Sequence, residues 1–410
     1  MSMKNIEYIN IEYLWSTIGF IDSITSNNVA ALKEVLNSEV QKLIKTTPKI
    51  DLLVVDMYNT SASYSNKIPN KGSNLHNLFE DIEADDSIKK ILLATNSRDP
   101  LTNSFLIEKD FPNSKKVFVT SFLVRKKNTP NDYERSIRKD DYDVVKLEHS
   151  DNVPEDVIKD VNNIVFGTDS LIGSKEKYLQ FISERISNRI KTLLLNNNCI
   201  EPIKEEDHVL KSTPVHVNKY VNLKPILEKH DCFNEMCCLL YHQIERTCGT
   251  PDFVVASSRN SIYIASGLLK YFKQAEQPNV QVEQPNMIII DQISPVTKLT
   301  NFSNLDSIIP NRKYAIIEDF YCMGTEIKMV KSVLWSRGVD IDNTKHPIYA
   351  FPIVSSNLYG EKTDKEFQKK KIYPLHILDK YEKYLMFTSS CCPVCNEIDC
   401  NHRREFNFKK

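Results

Sequence analysis

The sequence YAIIEDFYCMGTEIKMV, residues 314–330, places an apolar run directly before two acids and a glycine. A continuous apolar run of this length is typical of a strand that is buried on both faces. Gly324 allows a tight turn, and the residues after it have the apolar spacing of a helix. A strand, a turn and a helix in this order form the repeating unit of α/β proteins, so the stretch predicts an α/β fold.

The same alternation extends over most of the chain. Apolar runs that predict strands lie at residues 14–22, 50–58, 88–97, 115–124, 161–167, 251–257, 286–292, 313–320 and 346–355. Segments with helical spacing lie at residues 28–44, 174–194, 232–248, 261–275 and 325–338. Strands that alternate with helices imply parallel sheets covered by helices. We therefore expect two Rossmann-like parallel-sheet domains.

The order of these segments predicts where the domains begin and end. The first α/β domain takes residues 1–195, and a polar stretch without periodicity at 196–211 is typical of a linker. The second α/β domain takes residues 212–358. Residues 359–410 form a basic segment that ends in a short cysteine-rich tail.

Composition restricts the classes of partner. The 53 basic residues nearly balance the 54 acidic ones, so global charge gives no reason to expect binding to nucleic acid or to a membrane. No apolar run approaches the ~18 residues of a membrane helix, and the first residues lack the apolar core of a signal peptide. We expect a cytoplasmic protein whose scattered cysteines are reduced.

The acidic pair Glu318 and Asp319 predicts a binding site. Ligands of open α/β sheets bind beyond the carboxyl ends of the strands, which is where these two acids lie. Two adjacent carboxylates can accept hydrogen bonds from the vicinal hydroxyls of a ribose, and a following helix N-terminus favours a phosphate. The stretch therefore indicates a ribose 5-phosphate site. The alternative is a strand end with two solvated carboxylates before a capped helix.

This stretch resembles the phosphoribosyl-diphosphate signature of type I phosphoribosyltransferases. The resemblance implies that Glu318 and Asp319 hold the ribose hydroxyls. It also implies a 5-phosphate cradle formed by Cys322, Met323, Gly324 and Thr325. Cys322 and Met323 depart from the family pattern, which prefers Thr, Ser, Ala or Gly at these positions.

Other segments agree with this family in order, over residues 212–355. The resemblance implies a diphosphate-binding loop after the strand at 251–257, with Ser257, Ser258, Arg259, Asn260 and Ser261, although the glycine usual in that loop is missing. It implies a mobile catalytic loop at residues 291–304 with Lys298 as its cation. A short upstream match contributes Tyr220 and Lys224. Mg²⁺ is the cofactor implied together with phosphoribosyl diphosphate.

The orotate-like core with an added N-terminal domain is similar to divergent phosphoribosyltransferase-like effectors of bacterial conflict systems, some of which accompany retrons. That resemblance implies an anti-phage effector with a reverse transcriptase or nucleic-acid complex as partner, and it leaves a homo-oligomer open. Under this reading the protein transfers a ribosyl phosphate or runs a related N-glycosidic reaction. The alternative is a catalytically inactive module that senses a nucleotide or serves as a scaffold in a protein or nucleoprotein complex.

Polar residues at strand ends of the first domain leave three readings open. Asp56, Thr95 and Lys126 resemble the set of a receiver domain, in which Asp56 would be the phospho-acceptor. With the sequence GTDS at 167–170 they also resemble haloacid-dehalogenase phosphatases, in which Asp56 would be the nucleophile. The third reading is a degenerate Rossmann-like domain used for assembly.

The tail sequence CCPVCNEIDCNHR offers four zinc ligands within a short stretch: Cys392, Cys395, Cys400 and His402. The Cys-x₂-Cys spacing of the first two is that of half a structural zinc site. Cys391 or His376 could replace one ligand. The alternative is a set of free thiols on an unstructured tail.

Overall fold

The structure is a computed structural model. It describes residues 5–11, 14, 26–57, 74–95, 107–108, 110–121, 124–125, 142–143, 147–166, 175–202, 215–217, 219–274, 285–294, 299–303, 308–321, 324–341, 346–356, 367, 369–378 and 386–388. The chain divides into two compact units. Unit 1 is Met1–Arg185 with Gln274–Val282, and unit 2 is Ile186–Lys273 with Glu283–Lys410.

Unit 1 is built on a five-stranded sheet of order β1-β2-β3-β4-β7. The first four strands are parallel, and β7 is antiparallel to β4. Two further short strands, β5 and β6, pair with each other. The strands are β1 Ile6–Asn10, β2 Leu52–Met57, β3 Ile91–Thr95, β4 Val117–Ser121, β5 Val124–Arg125, β6 Tyr142–Asp143 and β7 Glu148–His149. The helices are α1 Ser26–Thr46, α2 Asn74–Ala84, α3 Glu155–Phe166 and α4 Lys175–Asn196, and the last of these continues into unit 2.

The predicted α/β class is confirmed in unit 1, but several elements differ from the prediction, among them the helix α2 Asn74–Ala84, which was not predicted. Residues 161–167 were expected to be a strand, and residues 161–166 lie in α3, because Val161, Ile164 and Val165 recur at the spacing of one helix face and are buried there. The strand β1 was not predicted. It is too short for a clear pattern, and its pairing with β2 forms it. Of the strand expected at 14–22, only Leu14 lies within the described residues, and it is helical.

The order of the described parallel strands in unit 1 is sequential. Receiver domains have the order 2-1-3-4-5, in which the order reverses beside the first strand. The described strands β1 to β4 show no such reversal. The phosphorylation of Asp56 itself stays a prediction.

Unit 2 is built on a six-stranded sheet of order β13-β12-β11-β14-β15-β16. All neighbours are parallel except β12 and β13, which form an antiparallel pair. The strands of this sheet are β11 Phe253–Ala256, β12 Asn286–Ser294, β13 Leu299–Ser303, β14 Tyr314–Tyr321, β15 Ile348–Ser356 and β16 His376–Leu378. The helices of unit 2 are α5 Lys224–Leu227, α6 His230–Cys248, α7 Arg259–Gln274 and α8 Thr325–Ser336.

Four short strands complete unit 2. They form the antiparallel pairs β8–β10 and β9–β17, with bounds β8 Ile200–Pro202, β9 Val215–Val217, β10 Lys219–Val221 and β17 Met386–Thr388. The predicted parallel α/β class is therefore confirmed in unit 2 as well. In neither unit does the described part of the chain contain a helix long and apolar enough to cross a membrane.

The apolar strands of unit 2 pack against α8 on one face of the sheet. Val255 of β11 and Ile316 of β14 pack with Ile327, Val330 and Leu334 of α8 in one core cluster. Side chains alternate between the faces of a strand, so the residues between these point toward the other face. That alternation determines to which face of the sheet each acid at the end of β14 points.

Candidate functional site

The site predicted from residues 314–330 lies where the strand order of unit 2 changes direction. β11 pairs with β12 on one side and with β14 on the other, so the connections after β11 and β14 run in opposite directions. Right-handed connections then place α7 and α8 on opposite faces of the sheet. Ligands of open α/β sheets bind in the crevice that such a divergence leaves at the carboxyl ends of the strands.

Asp319 lies at this crevice and faces α7. Its Oδ2 accepts a hydrogen bond from the Asn260 side-chain nitrogen at 2.8 Å, and the Ser258 hydroxyl donates to its Oδ1 at 3.4 Å. The backbone N–H of Phe320 also donates to Oδ1. Asp319 is half-buried, so the carboxylate is held in one orientation and can still be reached.

Glu318 lies beside it in sequence but behaves differently. It is only 2% exposed, and its Oε2 has no hydrogen-bond partner. As the neighbour of Asp319 on a strand, it points to the other face, where α8 packs. Burial first, and then the neighbouring charges of Glu326 and Asp319, raise the pKa of Glu318 well above its usual range. The predicted acidic pair is therefore one reachable carboxylate and one buried carboxyl group.

A third acid, which was not predicted, completes the cluster. Glu326 lies in the first turn of α8 and shares a side-chain hydrogen bond with Glu318. Burial and the charge of Asp319 raise the pKa of Glu326, while the hydrogen bond from Glu318 lowers it. Two carboxyl groups that share a hydrogen bond hold a proton between them. The signal in the sequence was an acid two residues after the glycine turn, where the helix dipole favours one.

The turn between β11 and α7 holds the residues predicted to bind a diphosphate. Ser258 precedes the helix, and its hydroxyl accepts a hydrogen bond from the N–H of Ser261 at 3.1 Å. The Ser261 hydroxyl in turn accepts from the N–H groups of Ser258 at 2.7 Å and of Ser257 at 3.1 Å. This is a capping box with serine in place of the usual Glu or Gln. Arg259, the first residue of α7, is exposed.

Gly324 directly precedes α8. Its φ is +69°, a left-handed conformation that favours glycine, and a Cβ there would lie 2.7 Å from the hydroxyl oxygen of Tyr321. Thr325 is the first residue of α8, and the structure describes only its backbone. The strand and the helix predicted here are therefore present.

The structure brings Ser258, Asn260 and Asp319 together. Glu318 and Glu326 join this cluster through Asp319. Lys224 is exposed at the start of α5 and pairs with Glu228 at 3.5 Å. Within the described residues, no hydrogen bond or ion pair joins it to the Asp319 cluster. Tyr220 lies in β10, where its side chain is not described. Several predicted site residues lie outside the described residues: Lys298, Cys322, Met323, Cys392, Cys395, Cys400 and His402.

The two metal predictions remain untested. The zinc site of the tail falls on residues that are not described. In the ranges that the structure does describe, no group of three or more His, Cys, Asp or Glu side chains has an arrangement that could hold a metal ion.

In unit 1, Asp56 lies near the carboxyl end of β2, as the sequence predicted. It is buried, and its Oδ2 accepts hydrogen bonds from the Tyr8 hydroxyl and, at 3.3 Å, from the Asn10 side chain. Both donors belong to β1. Thr95 is the last residue of β3, where its side chain is not described, and Lys126 is not described.

Comparisons with known proteins return phosphoribosyltransferase structures. The chain is similar to a phosphoribosyltransferase from Corynebacterium diphtheriae, with 9% identity over 48% of this chain and 96% of that one and a TM-score of 0.32. It is similar to the adenine phosphoribosyltransferase from Thermoanaerobacter pseudethanolicus, with 12% identity over 46% and 99% of the two chains and a TM-score of 0.33. It is also similar to the orotate phosphoribosyltransferase from Aeropyrum pernix, with 13% identity over 47% and 95% and a TM-score of 0.33.

No family model and no curated protein matches the chain. What the site does is therefore argued from its own residues.

Proposed function

We propose that unit 2 binds the ribosyl part of phosphoribosyl diphosphate or of a related nucleotide, as a phosphoribosyltransferase-like protein. One observation supports this most: Asp319 is fixed by Asn260 and Ser258 at the strand divergence and remains reachable. A preoriented carboxylate can accept hydrogen bonds from two neighbouring hydroxyl groups, which is the arrangement that a ribose offers.

The two acids have different roles in this proposal. Asp319 accepts the ribose hydroxyls, because it alone of the pair is exposed to the crevice. Glu318 is buried against α8 and supports the turn that carries the cradle residues. This differs from the prediction in which both carboxylates contact the sugar.

The other predicted groups keep their roles within this proposal. Arg259 is exposed at the N-terminus of α7, where an arginine and the helix dipole both favour a diphosphate. Mg²⁺ would arrive with that diphosphate, whose oxygens are the hard donors that suit it. The cation would neutralise the leaving diphosphate.

Calorimetric titration with phosphoribosyl diphosphate and Mg²⁺ tests the proposal. Asp319→Asn keeps the size of the side chain and removes its charge, so we expect affinity to fall by at least about tenfold, since a hydrogen bond to a charged group contributes about 1.5–3 kcal/mol. Asp231→Asn, at an exposed position in the first turn of α6, is the matched control and should bind as the parent protein does. Equal binding by Asp319→Asn, or no binding by the folded parent protein, would refute the proposal.

One observation favours a second candidate, a catalytically inactive nucleotide-sensing module. Ser261 already accepts hydrogen bonds from the N–H groups of Ser257 and Ser258, so these donors are not open to a diphosphate. A site that binds a ribosyl ligand but lacks those donors would stabilise a leaving diphosphate poorly. Pyrophosphate release with a panel of nucleobases separates the two: binding without release supports the sensor, and release supports the transferase.

The role in a wider system stays a prediction. An anti-phage effector function, a retron, a reverse transcriptase partner and a homo-oligomer rest on the resemblance of the sequence alone. Structural zinc in the tail has the same standing.

A further inference from the structure

The first turn of α8 carries a negative side chain where the proposed ligand would carry its own negative charge. Gly324 and Thr325 belong to the predicted 5-phosphate cradle, and Glu326 is the next residue. A helix N-terminus attracts an anion through its free N–H groups and its dipole. In this chain a carboxyl group of the protein already lies in that turn.

Two buried polar groups without a hydrogen-bond partner lie on the face of the sheet that α8 covers. Ser257 and Glu318 follow Ala256 and Ile317, which are paired in register, so both side chains lie on the face that α8 covers. Both are buried, and the Ser257 Oγ and the Glu318 Oε2 have no hydrogen-bond partner. Carboxylate oxygens need donors, and an ionised phosphate offers none.

The charges that act on Glu326 have one sign. Among the described residues, the titratable groups that interact with it are Glu318 and Asp319 of β14. The side chains that α7 presents to Asp319, Ser258 and Asn260, are neutral, and the cation Arg259 begins α7 on the opposite face. A phosphate at the start of α8 therefore meets like charges unless a proton lies between the carboxyl groups.

We propose that Glu326 determines how the site responds to charge at the 5-position of its ligand. A 5-phosphate binds only while the Glu318–Glu326 pair holds a proton. This inference rests on the proposed function and extends it, because it turns phosphate binding into a proton-linked event.

The pH dependence of phosphoribosyl diphosphate binding tests this inference in the full chain with Mg²⁺. Glu326→Gln keeps the shape and hydrogen bonding of the side chain and removes its charge. We divide the affinity of the variant by that of the parent protein at each pH. This ratio removes the contribution from titration of the ligand's own phosphates, which is the same for both proteins. We expect a ratio near one at about pH 6 that rises to about tenfold or more by about pH 8.5, since a one-proton linkage changes affinity by up to about tenfold per pH unit.

A second readout detects the proton directly. Titration of the parent protein at about pH 8.5 in two buffers of different ionisation enthalpy should give different binding enthalpies, because the complex takes up a proton from the buffer. Glu326→Gln should abolish that difference. Glu155→Gln, in the first turn of α3 and exposed, is the matched control and should behave as the parent protein does.

The outcomes separate this inference from the proposed function. If both proteins bind phosphoribosyl diphosphate with a ratio that stays near one at every pH, Glu326 has no such role and the proposed function stands. If the variant binds where the parent does not, the inference is supported. If neither folded protein binds at any pH, the proposed function fails and this inference fails with it.

Discussion

Replacing Glu318 by glutamine should make unit 2 more stable at neutral and alkaline pH. Glu318 is 2% exposed, one of its oxygens has no partner, and it shares a hydrogen bond with Glu326. Glutamine has the same shape, and its amide can donate to the Glu326 carboxylate without titrating. The variant therefore keeps the contact and removes a buried acid.

The direction in which stability changes with pH follows from the state, folded or unfolded, that retains the proton of Glu318. Burial raises the pKa of Glu318 in the folded protein, so the folded state retains a proton that the unfolded chain releases. The free energy of unfolding of the parent protein then falls as pH rises above the unfolded pKa, and the fall ends only above the folded pKa. Each proton contributes a slope of at most about 1.4 kcal/mol per pH unit.

We expect the two proteins to differ by less than ~1 kcal/mol at about pH 5. At about pH 8 the variant should be more stable by roughly 1–3 kcal/mol, the range for a buried polar group without a partner. The assay is urea unfolding followed by the fluorescence of Trp335, which lies in α8, in a background in which the other tryptophan, Trp15, is phenylalanine. Glu228→Gln, at an exposed position of the same unit, is the control and should show no comparable dependence on pH.

One result would refute this reasoning. If the stability difference between Glu318→Gln and the parent protein does not grow with pH, then Glu318 does not retain a proton in the folded state. The proton-linked binding proposed for Glu326 would then lose its physical basis.

Three further predictions concern packing, charge and metal. Gly267→Ala should destabilise unit 2 by about 1–3 kcal/mol in urea unfolding, because a Cβ in α7 would lie 2.5 Å from the Phe233 Cζ of α6. Arg189→Ala should cost about 1–3 kcal/mol, because it removes an ion-pair partner of Glu235, whose side chain is 5% exposed. Elemental analysis of the purified protein should find about one zinc per chain, as a four-ligand site holds one ion, and Cys395→Ser should lose it.

Each of the two stability predictions has a matched control variant. Ser266→Ala changes an exposed neighbour of Gly267 and should leave stability within about 0.5 kcal/mol of the parent protein. Lys328→Ala is the control for Arg189→Ala: it removes an exposed cation and should also leave stability within about 0.5 kcal/mol of the parent protein. A stability loss in these controls equal to that of the test variants would show that the named contacts are not the cause. Zinc that persists in Cys395→Ser would remove that cysteine from the ligand set.

Local sequence patterns predicted the helices α6, α7 and α8 and the strands β11, β12, β14 and β15 of unit 2. The apolar runs at 253–256 and 314–317 lie in β11 and β14, because strands buried on both faces need continuous apolar residues. The helix after Gly324 was expected to close at Gly338, and it ends at Ser336 with Gly338 at a φ of +85°. Such signals lie within one element and its ends, so the sequence contains them.

The arrangement of the site depends on contacts that local patterns do not contain. The hydrogen bond from Asn260 to Asp319 joins residues 59 positions apart and exists because β11 and β14 are neighbours. Which of the two acids is buried depends on the register of β14, and a shift of one residue would exchange them. The seven residues 161–167, of which 161–166 lie in α3, were too short a window to separate a buried helix from a strand.

β11 is the first strand of the six-stranded sheet of unit 2 to be synthesised, and it lies in the middle of that sheet. β11 at Phe253–Ala256 must pair with Asn286 on one side and with Tyr314 on the other. One of its edges therefore stays open until residues about 30 positions further along leave the ribosome, and the other until residues about 60 positions further along do. An unpaired apolar strand in a nascent chain is a site for aggregation and for chaperone binding. A ribosome that stalls before residue 314 should therefore hold an aggregation-prone chain, and one that passes residue 321 should release the central strand from that risk.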